Sequence, residues 1–238
     1  MNEDLPDPDD FDGVVRLFPL PGLVFFPHTV QALHIFEPRY RQMTADALAG
    51  DKMIALVLLG DDWEEDYDHR PGIARVACLG KVVAEHLLPD GRYNLLLRGV
   101  ARVRVVEELT TDRLYRQARV EIIPDEVPDD VAELMRLRTL LSEKMSPRFK
   151  DETVRAKVAD LFKGELPLGN ICDMLAFALP LTPRRKQELL ETACVPTRAR
   201  KLLAAFLEMI AAKPVDAEID GEAEAKIAKV FPPEFSAN

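Results

Sequence analysis

VRLFPLPGLVFFPHTVQALHIFEPRY, residues 15–40, sets the character of the first half of the chain. Val15, Leu17 and Phe18 make a short strand, and Pro19-Leu20-Pro21-Gly22 forces an extended turn. Residues 23–26 and 29–36 continue in β-branched and aromatic residues, broken at Pro27. Pro38 suits the first position of a helix, because its missing N–H would have no helical partner there. Tyr40, Met43, Ala47 and Leu48 then recur at helical spacing as far as Gly50. One short helix set among strands is the expectation.

Strand signals continue outward from this stretch. Residues 53–59 read as a buried strand, and a polar loop at 60–72 carries the single tryptophan. Strands are expected at 73–78, 81–86, 93–98, 102–106 and 117–123. Asp90-Gly91 supplies the positive φ of a tight hairpin, and the glycines at 72, 80 and 99 read as places where the backbone turns. In Arg102-Val103-Arg104-Val105 the alternation places the arginines on one side and the valines towards the core. Many short strands joined by turns predict a closed or nearly closed, mostly antiparallel β-barrel.

Near Pro124 the apolar period changes from 2 to about 3.6. Val131, Leu134, Leu137, Leu141 and Met145 form one stripe; Ile171, Met174, Leu175, Ala178 and Leu179 a second; Leu202, Leu203, Phe206, Leu207 and Ile210 a third. Further helices fit 153–162 and 183–192. The expected class is α+β, with a β-barrel over 13–124 and a helical bundle over 125–212. A disordered acidic arm at 1–12 and an acidic tail at 213–238 complete the chain.

Composition narrows the function. A formal net charge of −10 and a pI near 5.0 give a field that repels phosphate backbones, which disfavours non-specific nucleic-acid binding. The first twelve residues hold six carboxylates and no basic side chain, unlike a secretory or transit segment, so a cytoplasmic location is expected. No apolar run approaches the roughly 18 to 20 residues of a membrane span. Cys78, Cys172 and Cys194 contain no CxxC pair and read as reduced core thiols.

Several separated pieces carry a family resemblance: Leu17-Phe18-Pro19-Leu20, Phe26-Pro27, Leu33-His34-Ile35-Phe36-Glu37 with Pro38-Arg39-Tyr40, and Gly72-Ile73-Ala74-Arg75-Val76. Gly80, Asp90-Gly91-Arg92-Tyr93-Asn94, Leu97-Arg98-Gly99 and Arg102 follow, then residues 173–181, 186–191 and Arg198 in the helical half. In this order and spacing, over about residues 14 to 210, they resemble the N-terminal, substrate-binding domain of Lon proteases. The resemblance implies a PUA-like barrel followed by a helical bundle. The 238 residues leave no room for the ATPase and Ser-Lys peptidase modules of a complete Lon protease. What the resemblance implies is therefore a stand-alone, non-catalytic recognition module, an adaptor or regulator in protein quality control. Its partners would be unfolded or flexible polypeptides, with a protease or chaperone as the machine it serves.

The residues that could carry chemistry are not arranged for it. Gly164 and Gly169 have phosphate-loop spacing but lack the Lys and Ser/Thr that would hold phosphate and magnesium. Ser142 and Lys144 would point to different faces of a helix, which does not support a Ser-Lys dyad. His28 and His34 would lie roughly 20 Å apart in an extended strand, too far to share one ion. No enzyme activity, cofactor or metal is expected.

Trp63 and Tyr67, set among Asp61, Asp62, Glu64, Glu65, Asp66 and Asp68, are candidate aromatic anchors for a polypeptide. With Phe25, Arg39 and Tyr40 they are the candidate peptide-binding residues. The alternative is an RNA-binding face running from Arg92 to Arg119, with Arg92, Arg102 and Arg104 as its contacts. It lacks the interleaved aromatics that stack bases.

Overall fold

The computed structural model describes residues 12–60, 63–64, 70–149 and 151–211. The chain forms two compact units, one ending at Pro124 and the other beginning at Asp125. The first contains β1 (Val14–Leu20), β2 (Val30–Ile35), α1 (Pro38–Leu48), β3 (Met53–Leu58), β4 (Val76–Leu87), β5 (Tyr93–Leu109) and β6 (Gln117–Ile123). Its sheet runs β2-β5-β4-β3-β1-β6, and β5 also pairs with β6. That second pairing closes β1, β3, β4, β5 and β6 into a ring. Only β1 and β3 run parallel among these pairs, so the barrel is mostly antiparallel, as the turn spacing predicted. Val15, Leu17, Ala55, Val57, Leu79, Val103 and Val120 belong to the core cluster inside it.

One strand serves both the barrel and an extension of the same sheet. The first half of β5 pairs with β2 from Tyr93 to Arg98, and the second half pairs with β6 from Arg102 to Leu109. The second half of β4 lies on the other side of β5, with His86 opposite Asn94 and Leu87 opposite Tyr93. A three-stranded arm, β2-β5-β4, therefore continues out of the barrel.

The expected breaks at Gly80 and Gly99 are absent; 73–78 with 81–86, and 93–98 with 102–106, merge into β4 and β5. The two glycines sit opposite each other in the ladder, next to a register shift between Leu79 and Gly80. They serve close approach rather than a turn. A Cβ at Gly80 would lie 2.7 Å from the Leu97 side chain, and one at Gly99 only 2.1 Å from the Phe26 carbonyl oxygen. What crosses there is residues 23–26, expected as strand but folded as an irregular segment. Phe25 is only 1% exposed and packs over Gly80, so the peptide contact expected of it is not available at the surface.

His28, at the end of this crossing segment, adopts φ +63° and donates its backbone N–H to Gly99 O at 2.9 Å. Burial, and secondarily the Arg102 charge, hold its imidazole below the ordinary histidine range. The unfolded chain consequently takes up the proton first as pH falls below about 6.5. The stability that neutral His28 contributes is present above that value and is lost as pH falls towards the lowered native one. The urea midpoint is expected to drop between pH 7.5 and 5.5, and to drop less in His28→Asn, which tolerates the left-handed backbone. Equal drops would assign the pH dependence elsewhere.

The second unit is helical: α2 (Val131–Met145), a 3-10 turn (Ser146–Arg148), α3 (Glu152–Lys163), α4 (Leu168–Ala178), α5 (Pro183–Leu190) and α6 (Val195–Ala211). Asp130, Asp151 and Thr182 cap α2, α3 and α5 by accepting backbone N–H groups of the first turn. Residues 164–167 form the connection into α4, whose residues are buried almost throughout. In α2 the expected stripe is only half covered. Leu137, Leu141 and Met145 are buried, whereas Val131 is 66% exposed because it begins the helix beyond the packed turns. At the centre lies an ion network: Arg198 Nη1 to Asp173 Oδ1 at 3.0 Å and Arg198 Nη2 to Asp125 Oδ2 at 2.6 Å. Cys78 and Cys172 are buried free thiols, and Cys194 is partly buried. No helix among the described residues is long and apolar enough to cross a membrane.

Candidate polypeptide-binding surface

One face of the β2-β5-β4 arm is built in rows across the three strands. Ala32, Leu96 and Ala84 form one row; His34, Asn94 and His86, two residues along each strand, form the next. Together they line a shallow depression of about 460 Å³, within the roughly 300–1,000 Å³ of small-ligand sites but open along the sheet. Leu96 is 41% exposed at its centre, and Phe36, just past the end of β2, is 59% exposed. The Phe36 ring stacks against His34 at 6.2 Å. His34 Nδ1 lies 2.7 Å from Asn94 Oδ1 and donates to it, which leaves Nε2 to accept from Arg92 Nη1 at 3.4 Å. This polar chain fixes the imidazole beside the apolar floor.

Among the described residues β2 pairs on one side only, with β5, and so forms an edge of the arm. The Gln31 side chain donates to Ala32 O at 2.7 Å, which occupies part of that edge. An extended polypeptide could pair along the rest while its side chains meet Leu96 and Phe36.

The expected contact residues are dispersed. Arg39 and Tyr40 come together at the start of α1, the guanidinium standing 4.6 Å from the ring centroid. Tyr40 packs on Phe18 with centroids 4.4 Å apart and is itself buried. Trp63 is partly buried, and its backbone N–H donates to Gly60 O at 3.3 Å. Tyr67 lies outside the described residues.

Of the arginines expected on a nucleic-acid face, Arg102 is only 3% exposed and cannot reach a phosphate there. Its expected alternation with valine fails because residues 101–103 are all buried where β5 passes from arm to barrel. Arg92 and Arg104 are exposed, but each faces a carboxylate: Asp90 at 2.5 Å and Glu121 at 3.7 Å. Arg113, Arg116 and Arg119 are paired as well, with Asp46, Glu108 and Glu107.

The sequence reading passed over Leu96, although the signal was present. Leu95-Leu96-Leu97 breaks the alternation of β5 and must place one leucine on the otherwise polar face.

The model of the ATP-dependent protease La (LON) substrate-binding domain matches residues 14–206, which takes in the barrel, the arm and most of the helical unit. The chain belongs to this family.

A Lon protease of Dictyoglomus thermophilum is 30% identical over 205 residues, covering 84% of this chain and 25% of that protein. The chain thus spans about a quarter of the length of the curated Lon proteases it matches. Two solved structures share the fold. A Lon N-terminal domain protein from Xanthomonas campestris aligns with a TM-score of 0.59 at 24% identity, over 80% of this chain and 97% of its own. The N-terminal domain of the Mycobacterium avium complex Lon protease aligns with a TM-score of 0.65 at 16% identity, over 82% and 98% respectively. What the match shows is membership in the family of Lon substrate-binding domains.

Proposed function

We propose that this Lon-type domain grips unfolded or flexible protein segments without cutting them, as an adaptor or regulator in cytoplasmic protein quality control. A protease or chaperone would perform the turnover. The observation that carries this reading is the exposed apolar face of the β2-β5-β4 arm beside an incompletely paired strand edge. Such a surface suits a chain that is itself extended, because main-chain pairing is indifferent to sequence while Leu96 and Phe36 favour apolar side chains. The expected mode is weak and tolerant of client sequence.

Amide hydrogen exchange in the presence of reduced, carboxymethylated lactalbumin tests the location. Protection is expected to rise in residues 30–36 and 94–96. Unchanged exchange there, with protection confined to the helical unit, would contradict the assignment. The RNA-binding alternative has its own measurement. Sub-micromolar binding of single-stranded RNA with a steep salt slope would replace the polypeptide reading, whereas the pairing of the exposed arginines leads us to expect none.

A further inference from the structure

A second depression on the barrel unit shares no lining residue with the arm. It has a volume of about 210 Å³ and is formed by the end of β1, the start of α1, the residues flanking the loop after β3 and the segment before β6. Four of its ten lining residues are arginines, Arg39, Arg70, Arg113 and Arg116, and none is acidic. The carboxylates that hold three of them lie outside the lining. Glu37 pairs with Arg39 at 2.8 Å, Asp46 with Arg113 at 3.2 Å, and Glu108 with Arg116 Nε at 2.7 Å. Arg116 also donates to Pro71 O at 2.9 Å, and Tyr115 donates its hydroxyl to Asp46 at 2.8 Å. Among the described residues Arg70 has no ion-pair partner.

Size and charge decide what fits. The volume is below the roughly 300–1,000 Å³ typical of small-molecule sites, which favours an end group over a whole cofactor. Among the described residues, the four cations are set against three carboxylates, a local surplus of one charge. A carboxylate matches that surplus and the planar fork of a guanidinium, whereas a phosphate monoester carries about −1.5 to −2. The remaining walls, including Tyr40, Leu59, Leu114 and Tyr115, are largely apolar or aromatic. We propose that this pocket captures a carboxylate borne next to an apolar or aromatic side chain. The free C-terminus of a polypeptide ending in such a residue presents that chemistry, and so does an acidic side chain with an apolar neighbour. Only the polypeptide source of the carboxylate rests on the proposed function; the anion site itself stands on the pocket.

Calorimetric titration of the full chain with an N-acetylated Gly-Ser-Gly-Leu-Phe peptide tests it. The free acid is expected to bind at least about tenfold more tightly than the C-terminal amide, with affinity falling as salt is raised. Arg70→Gln should weaken the free acid at least about fivefold without changing the circular dichroism spectrum, and Arg70→Lys should weaken it less. An amidated peptide with an internal glutamate before the phenylalanine tells side-chain from terminal carboxylate, and binding of either supports the site. Equal affinity for acid and amide, or an unaffected Arg70→Gln, would overturn the proposal. Inorganic phosphate binding more tightly than the peptide would make it a phosphate site and overturn it too. Leu96→Asp, on the arm, should leave this titration unchanged even where it abolishes binding of an unfolded protein. A loss in that variant would mean that no separate pocket exists.

Discussion

Replacing Arg198 by alanine is expected to remove about 3–5 kcal/mol from the stability of the helical unit, read as a fall in the urea midpoint. Arg198 is 0% exposed within α6 and meets Asp173, equally inaccessible within α4, at 3.0 Å. Asp125 reaches the same guanidinium at 2.6 Å. Water cannot replace the missing cation at such depth, so the truncation would leave the Asp173 carboxylate buried without its counter-ion. Domains typically have only about 5–15 kcal/mol in total, and the variant should be largely unfolded at modest denaturant. Arg198→Met with Asp173→Leu, which removes the two fully buried charges and leaves only the quarter-exposed Asp125, should regain most of the loss, because an apolar pair needs no desolvation of ions. A loss below about 1 kcal/mol in Arg198→Ala would show that the network contributes little.

Gly99→Ala is expected to cost about 3 kcal/mol or more, at the upper end of overpacking effects. The added Cβ would stand 2.1 Å from Phe26 O, 2.9 Å from Phe26 C and 3.1 Å from Pro27 Cα, all backbone atoms. A flexible side chain could swing away, but this segment is tied down. Gly99 N–H donates to Thr29 O at 2.9 Å, His28 N–H donates to Gly99 O at 2.9 Å, and Thr29 Oγ1 donates to Phe26 O at 2.7 Å. Relief must therefore move the strap of residues 26–29 and, with it, the approach to β2. Gly72→Ala is the control: its Cβ would meet none of the described residues within 4 Å, and its effect should stay within about 0.5 kcal/mol. Similar midpoints for the two variants would contradict the close-approach account.

These two sites mark where the sequence could be read and where it could not. The strand and helix periods were legible because burial is one-sided in β1 and α1. Tyr40, Met43 and Ala47 recur on the inner face of α1, and Gly91 takes φ +80° in the Asp90-Gly91 turn as the hairpin chemistry required. Gly80 and Gly99 misled because a glycine admits both a turn and a close approach, and only the partner strand and the crossing segment decide between them. The arm was hidden for a related reason. Continuity of β5 through Gly99 creates it, and nothing local announces that one strand serves both barrel and arm. Arg198 and Asp173 lie 25 positions apart, on helices whose packing no apolar stripe specifies. The arginine pocket gathers residues 39, 70, 113 and 116, which only the closed ring brings near one another.

If the exposed face of the β2-β5-β4 arm holds extended polypeptide, Leu96→Asp should loosen that hold. The substitution places a charge at the centre of the apolar floor, on a side chain already 41% exposed, so the fold has little reason to respond. Fluorescence anisotropy with labelled, reduced and carboxymethylated lactalbumin should show affinity lowered at least about tenfold, with an unchanged melting temperature. Undiminished affinity in a folded Leu96→Asp protein would contradict the account.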